Sequence, residues 1–174
     1  VGTYLETRFT GGKLSVKVSE TGTSYYNVFV DGKLHKVVKV CGTDTLIHLV
    51  SGIDKRIHSL KIQKRSEGEF GKTTVHQFVL SGSGRLAEEP AVRTRHIEFI
   101  GNSLTCGYGT DGKHRDEPFL VETENCNLTF ASMLARYYDA DYTLIAHSGR
   151  GAARNYGDSV RVSKVTMKDR MLNT

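Results

Sequence analysis

One serine stands where its hydroxyl could act as a nucleophile. The short apolar run 97–101 ends in Gly101, and Ser103 follows after the single residue Asn102. A serine just beyond a strand-terminating glycine lies at the carboxyl end of a sheet, where its hydroxyl is presented and its backbone N–H can face an oxyanion. The pattern therefore predicts Ser103 as a candidate nucleophile, although a structural turn containing glycine and serine has the same spacing.

A second glycine-rich turn follows the next apolar run, 142–146, and reads His147-Ser148-Gly149-Arg150-Gly151. Adjacent parallel strands end side by side, so the amides of this turn can lie near Ser103, and Gly149 allows close approach of a substrate to the backbone. His147 is a candidate base for Ser103, but orienting the backbone or contacting substrate fits it better. The competing interpretation is an ordinary glycine turn with solvated arginines.

Two other motifs suggest binding or modification but lie in unsuitable contexts. Residues 107–113 have the G-x4-G-K spacing of a phosphate loop, yet His114 follows where Ser or Thr would hold Mg²⁺. The sequon at residues 127–129 sits at a predicted helix start with Leu128 expected inward, which favours N-capping over glycosylation. We therefore expect no nucleotide site.

The cysteines and the remaining histidines give weaker signals. Cys41, Cys106 and Cys126 are too few for a disulfide scaffold and fit no zinc spacing, but a Cys106–Cys126 bridge is an open alternative if the protein is exported. Roles on strand faces or in the core are expected for four histidines, His35, His48, His58 and His76.

The first half of the chain must supply a sheet. Runs rich in β-branched and aromatic residues alternate there with Gly, Asp, Thr and Ser clusters; they are residues 14–18, 25–30, 34–40, 45–50, 58–65 and 75–80. Asp31-Gly32 between two of these runs is a strong signal for a type I′ hairpin. Many short strands with a turn about every 8–12 residues predict an antiparallel β-sandwich.

The pattern changes after a linker-like segment at residues 81–94. Residues 96–101 and 142–146 are predicted as buried strands, and 127–138 as a helix capped by Asn125 or Asn127. The helix is expected to turn five residues inward, Leu128, Ala131, Leu134, Ala135 and Tyr138. Strand, turn, helix and strand in this order predict the opening of a parallel α/β sheet.

Composition excludes several protein classes. With 174 residues, 38% hydrophobic and 25% charged, and a mean hydropathy of −0.35, the chain is not collagen, coiled coil or generally disordered. No run approaches the roughly 20 apolar residues that span a bilayer. The net charge of +5 permits an anionic partner, but basic and apolar residues alternate, as in 33–40, which is typical of a solvated strand face. We expect neither a nucleic-acid nor a membrane partner.

Taken together, the motifs resemble those of the SGNH hydrolases, specifically carbohydrate esterase family 2. The resemblance rests on residues 25–32, 62–67, 97–109, 148–151 and 154–156. It implies an N-terminal antiparallel jelly-roll β-sandwich over residues 1–88 and the first part of a doubly wound parallel α/β domain, flavodoxin-like, over 95–174. About 80 residues supply too few strands to bury both faces of such a sheet, so we expect the second domain to be incomplete.

The resemblance also implies an activity and a site. Members deacetylate plant-type polysaccharides outside the cytoplasm, without metal or organic cofactor. Ser103 matches the nucleophile and, through its N–H, one oxyanion donor; the N–H of Gly149 matches a second donor. The family normally has Asp before the serine, whereas Asn102 keeps the side-chain acceptor and loses the charge. Contacts to an acetylated polysaccharide or oligosaccharide are implied for Asn102, Arg154, Asn155 and Tyr156. The oligomeric state is not indicated.

Two further blocks of the family have no match before Thr174. They supply an oxyanion asparagine and, in an Asp-x-x-His-like motif, the base; we expect both to lie beyond the chain, and the 174 residues alone to be nearly inactive. Residues 165–171 are typical of a loop or helix start, not of a domain end. The alternative function, suggested by Asn102 and the unmatched base, is a non-catalytic carbohydrate-binding or accessory protein with a degenerate hydrolase domain.

Overall fold

The structure is a computed structural model that describes residues 1–172. The chain forms two compact units. The sheet unit comprises Tyr4–Lys64 and Gly68–Val92; the strand–helix unit comprises Val1–Thr3, Arg65–Glu67 and the chain from Arg93 onward. The predicted domains are continuous, 1–88 and 95–174, and so do not assign Val1–Thr3 and Arg65–Glu67 to the later unit. These domain bounds remain a proposal. Among the helices of residues 1–172, none is long and apolar enough to cross a membrane.

The sheet unit is built from six strands and a 3₁₀ turn at Gly68–Phe70. The strands are β1 (Tyr4–Glu20), β2 (Thr23–Val30), β3 (Lys33–Cys41), β4 (Thr45–Lys64), β5 (Thr73–Ser81) and β6 (Arg85–Leu86). Their order is β3-β2-β4-β1-β5, with β6 paired to β1, and every pairing is antiparallel. The predicted antiparallel β class is confirmed.

The strands are longer than predicted. The predicted run 45–50 and all of the run 58–65 except Arg65 are parts of one strand, β4, and 14–18 is part of the 17-residue β1. The reason is that glycines interrupt the pairing without ending the strand. Gly12 and Gly52 have φ of +72° and +69°, and the β1–β4 register shifts on both sides of Gly12. Such bulges bend a strand and increase its twist while the ladder continues, so all six strands join one hydrogen-bonded sheet.

The predicted hairpin is confirmed. Asp31 and Gly32 both have positive φ, +49° and +75°, as a type I′ turn requires, and Val30 pairs with Lys33 across it. The inward-facing residues of the sheet form one apolar core, which contains Phe9, Leu14, Val16, Val18, Val28, Val40, Leu49, Val50, Leu60 and Ile62.

The strand–helix unit contains two parallel strands and short helices. Its elements are β7 (His96–Gly101), α1 (Ser103–Cys106), 3₁₀ turns at Val121–Thr123 and Cys126–Leu128, α2 (Phe130–Tyr137), β8 (Asp141–Ala146) and α3 (Met167–Met171). β7 and β8 run in register from His96 opposite Asp141 to Gly101 opposite Ala146. The predicted strand, turn, helix and strand are present, and α3 agrees with the helix start predicted at residues 165–171. The predicted burial of residues 96–101 is wrong: β7 contains no buried residue and Ile100 is 48% exposed, since within residues 1–172 the strand pairs with β8 alone.

The predicted helix 127–138 is partly wrong. Its first turn is a 3₁₀ turn capped by Asn125, whose side chain accepts from Asn127 N–H at 3.2 Å, and α2 starts only at Phe130. Asn127 is not a cap, because its side-chain oxygen accepts a hydrogen bond from Arg136 at 2.8 Å. Ala131 and Ala135 are fully buried as expected, but three residues predicted inward are 43–48% exposed, namely Leu128, Leu134 and Tyr138.

Candidate active site

The turn between β7 and α1 presents Ser103. Asn102 is the N-cap of α1, with extended backbone angles, and its side-chain oxygen accepts a hydrogen bond from Leu104 N–H at 3.1 Å. As the first residue of the helix, Ser103 has an N–H with no intrahelical acceptor. Asn102 thus performs the local turn bonding that an aspartate would perform, without its charge.

Two glycines, Gly101 and Gly107, allow close packing at the two ends of α1. A Cβ on Gly101 would lie 2.0 Å from Thr105 Oγ1, and a Cβ on Gly107 would lie 2.4 Å from the backbone of Asn125. Gly107 has a φ of +84°, and its N–H donates to the Ser103 carbonyl at 3.0 Å. Close packing on both sides of α1 therefore demands glycine and holds the Ser103 turn in one geometry.

The second turn leaves the sheet at the same edge. His147 N–H donates to the Gly101 carbonyl at 3.3 Å, directly after the Gly101–Ala146 pair. Gly149 is exposed, has a φ of +74°, and has nothing within 4 Å of the position that its Cβ would occupy. Its carbonyl accepts from Tyr156 N–H at 2.8 Å. The structure thus places both candidate turns at the carboxyl ends of neighbouring strands, with open space at Gly149.

His147 contacts the backbone of its own turn. Its Nδ1 lies 2.9 Å from the Ser148 carbonyl and 3.8 Å from Glu67 Oε2, and the side chain is 12% exposed. An Nδ1 hydrogen bond to a carbonyl leaves Nε2 as the acceptor nitrogen, and that atom is buried. These contacts suit the orienting role; the role of base for Ser103 stays a prediction.

Three of the four residues implied in substrate binding, those at positions 154–156, differ in their surroundings. Asn155 is engaged within the protein: its side chain accepts from Gly151 N–H at 3.2 Å and donates to the Val165 carbonyl at 2.9 Å. Arg154 is exposed, and Tyr156 is 93% exposed. Asn155 therefore fixes the loop that carries the other two, which are the ones available to a ligand.

A buried arginine that the sequence did not mark as functional holds the loop around α1. Arg65 is 2% exposed; it donates to the carbonyls of Glu124 at 2.8 Å and Glu122 at 3.1 Å, and forms an ion pair with Asp111. Asn125 also donates to Asp111, at 3.0 Å. Residues 62–67 belong to the motif that carried the family resemblance, but a charged run after a strand gives no sign of burial.

Two glutamates and a cysteine are buried together beside the Ser148 turn. Glu67 Oε2 accepts from Ser148 N–H at 2.8 Å, and Glu124 Oε2 accepts from Glu67 N–H at 2.8 Å. Burial and the charge of Glu67 raise the pKa of Glu124 to about 8, and burial with both carboxylates raises the pKa of the Cys106 thiol. We assign no metal to this cluster, because metal ligands must be deprotonated, whereas the raised pKa values of the Glu124 carboxyl and the Cys106 thiol keep both of these groups protonated at neutral pH.

The possible Cys106–Cys126 bridge is not formed. Both cysteines are buried free thiols, and burial raises the pKa of Cys126 to about 12. Each therefore behaves as a small buried apolar side chain.

Comparison with known proteins identifies the family. The family profile described as Carbohydrate esterase 2 N-terminal matches residues 1–90. The cellulase/esterase CelE of Acetivibrio thermocellus is 35% identical over 156 residues, covering 90% of this chain and 19% of that protein. An acetylxylan esterase / glucomannan deacetylase of Cellvibrio japonicus is 31% identical, covering 88% of this chain and 42% of that protein.

A solved structure agrees with these sequence matches. A family two carbohydrate esterase from Clostridium thermocellum, in complex with cellohexaose, superposes with a TM-score of 0.86 at 34% identity, covering 91% of this chain and 49% of that chain. The chain thus spans less than half the length of each of these three relatives. Because the family profile matches more than half of its 174 residues, the chain belongs to carbohydrate esterase family 2.

Proposed function

We propose that this chain carries the nucleophile and part of the oxyanion hole of a carbohydrate acetyl esterase of the SGNH type. The observation that carries the proposal is the parallel register that ends with Gly101 opposite Ala146, since it brings the Ser103 and Gly149 turns to one sheet edge. The carboxyl ends of parallel strands are the usual ligand site of open α/β sheets. The doubly wound domain implied by the resemblance is part of this proposal.

In the proposed reaction, Ser103 Oγ attacks the acetyl carbonyl carbon while a general base takes its proton. The carbonyl oxygen becomes an oxyanion, which the N–H groups of Ser103 and Gly149 stabilise; one well-aimed donor of this kind contributes about 3–4 kcal/mol. The intermediate expels the sugar oxygen, which is reprotonated, and water then releases acetate from the acetyl-serine.

The general base is assigned outside residues 1–172. His147 has its Nδ1 on the Ser148 carbonyl and a buried Nε2. We therefore propose that a histidine elsewhere in the full-length gene product accepts the Ser103 proton, and that the 174 residues alone hydrolyse esters slowly. Robust hydrolysis by this chain alone would instead support His147 as the base.

We propose an acetylated polysaccharide or oligosaccharide as the substrate. Relatives named acetylxylan esterase / glucomannan deacetylase, and a relative solved with cellohexaose, support this class. The exposed side chains of Arg154 and Tyr156 are suited to contact sugar hydroxyls and a sugar face. A polymeric substrate of this kind implies an extracytoplasmic location. Release of acetate from acetylated xylan by the full-length gene product tests the proposal, and its absence would contradict it.

Carbohydrate binding without catalysis is the second candidate. The 93% exposure of Tyr156 favours it, because an open aromatic face can bind a sugar ring without any general base. Binding of cellohexaose with no ester hydrolysis would establish this second function. Loss of that binding in Tyr156→Ala, but not in Tyr137→Ala, which changes another exposed tyrosine, would locate the site.

A further inference from the structure

The buried cluster beside the Ser148 turn contains two carboxyl groups with little access to water. Glu67 and Glu124 are 2% and 0% exposed, and Cys106 is fully buried. A carboxylate oxygen of each glutamate and the Cys106 sulfur lie within 4.8 Å of one another. Cys106 is the last residue of α1, which begins at Ser103. The cluster thus touches both turns of the candidate active site.

In the described part of the chain, the hydrogen bonds of the pair leave one oxygen of each carboxyl group without a donor. Glu67 Oε2 accepts from Ser148 N–H and Glu124 Oε2 accepts from Glu67 N–H, both at 2.8 Å. Both Oε1 atoms are buried, and within residues 1–172 no other group donates to them. One proton between the two carboxyl groups satisfies both atoms, because the protonated oxygen donates and the other accepts.

Two ionised carboxylates at this distance and depth would repel strongly, because water does not screen them. We propose that Glu67 and Glu124 share one proton, and that this acid–carboxylate pair positions the turn of Ser148 and Gly149. The catalytic consequence rests on the proposed function, in which Gly149 N–H stabilises the oxyanion. The shared proton itself does not depend on that function.

The surrounding charges are consistent with one proton on the pair. The Cys106 thiol faces both carboxylates and stays protonated, because burial raises its pKa. Within the strand–helix unit, the ionisable groups around the pair include the Val1 amino group, Arg65, Asp111, Cys126 and His147. Arg65 donates to the backbone carbonyls of Glu124 and Glu122 and forms an ion pair with Asp111.

Deprotonation of the pair would release the turn. Burial and the charge of Glu67 raise the pKa of Glu124 to about 8. Above that pH both carboxylates are charged, their repulsion separates them, and Glu67 Oε2 no longer holds Ser148 N–H in place. Glu67 and Glu124 are therefore positioning residues for the adjacent Gly149 N–H.

The test compares wild type with Glu124→Gln and the control Glu122→Gln, which changes an exposed glutamate two residues away. Amide resonances of Ser148 and Gly149 and the infrared band of a protonated carboxylic acid are followed from about pH 5 to about pH 10. We expect both signals to titrate together near pH 8 in wild type and in Glu122→Gln. Glutamine mimics the protonated acid, so neither signal should titrate in Glu124→Gln.

The proposal is overturned if wild type shows no carboxylic acid band at neutral pH, if the two amides do not titrate, or if Glu124→Gln titrates like wild type. Should Glu124→Gln fail to fold, the wild-type spectra decide alone. None of these readouts requires hydrolysis, so an inactive enzyme would contradict the proposed function only. In an active full-length protein, kcat/KM should fall about 10- to 100-fold above pH 8 in wild type and not in Glu124→Gln.

Discussion

The carbonyl of Gly101 accepts a hydrogen bond from His147 N–H at 3.3 Å and so extends the β7–β8 ladder beyond its last residue pair. This bond holds the two turns side by side at the carboxyl ends of β7 and β8. Ser103 follows Gly101 by two residues, and Gly149 follows His147 by two residues. The candidate nucleophile and the candidate oxyanion donor are therefore positioned by backbone contacts.

Gly101→Ala is expected to destabilise the strand–helix unit. The added Cβ would lie 2.0 Å from Thr105 Oγ1, so α1 would have to move. Overpacking of this kind costs about 1–3 kcal/mol in the free energy of unfolding. Urea denaturation followed by circular dichroism measures it. Gly68→Ala is the control, because its Cβ would meet nothing within 4 Å. Equal stability of the two variants would contradict the tight packing of α1.

Asn102→Ala is expected to lose the N-cap of α1. Its side-chain oxygen accepts from Leu104 N–H at 3.1 Å, and loss of such a cap costs about 1 kcal/mol. Asn102→Asp keeps the acceptor and should lie within about 0.5 kcal/mol of wild type. Thermal and urea unfolding of the three proteins measure the difference. If alanine were as stable as aspartate at this position, the capping role would be wrong.

His58 is expected to make stability depend on pH. Its Nδ1 lies 2.7 Å from Asp31 and its Nε2 3.0 Å from Asp54, and the hydrogen bond with Asp31 is the main cause that raises the pKa of His58. A raised pKa means that the folded state binds the proton more tightly. This contribution is fully present below pH 6.5 and is lost as the pH rises through the folded pKa.

The measurement is the free energy of unfolding of wild type, His58→Gln and His35→Gln between about pH 5 and about pH 9. Glu124 contributes a decline in the same direction, because the pKa of that buried carboxyl is raised to about 8. The difference between wild type and His58→Gln removes the Glu124 contribution and should shrink as pH rises. The exposed His35 should show no such trend, and a constant difference for His58 would refute the expectation.

The sequence predicted those features that depend on local chemistry. Asp31-Gly32 predicts its hairpin because few residues adopt positive φ at both positions, and the structure has both. The apolar runs of β7 and β8 and the glycines after them predict two neighbouring turns, which the parallel register confirms.

Features set by tertiary packing were missed. Gly12 and Gly52 resemble strand ends in the sequence, yet in the structure they are bends within continuous strands. Glu67 and Glu124 are 57 residues apart and charged, and nothing local indicates that both are buried. Leu134 has helical spacing with Ala131 and Ala135 but is 43% exposed, because spacing does not tell which part of a helix face is covered.

The most direct test of the central claim is the kcat/KM for a small acetyl ester in the full-length gene product, measured for wild type, Ser103→Ala and Ser159→Ala. Ser159 is an exposed serine of the same unit and serves as the matched control. Removal of a nucleophile typically costs about 10⁴- to 10⁶-fold, so we expect Ser103→Ala to lose activity to this extent while Ser159→Ala keeps it. Turnover by a folded Ser103→Ala protein equal to that of wild type would contradict the assignment of Ser103 as the nucleophile.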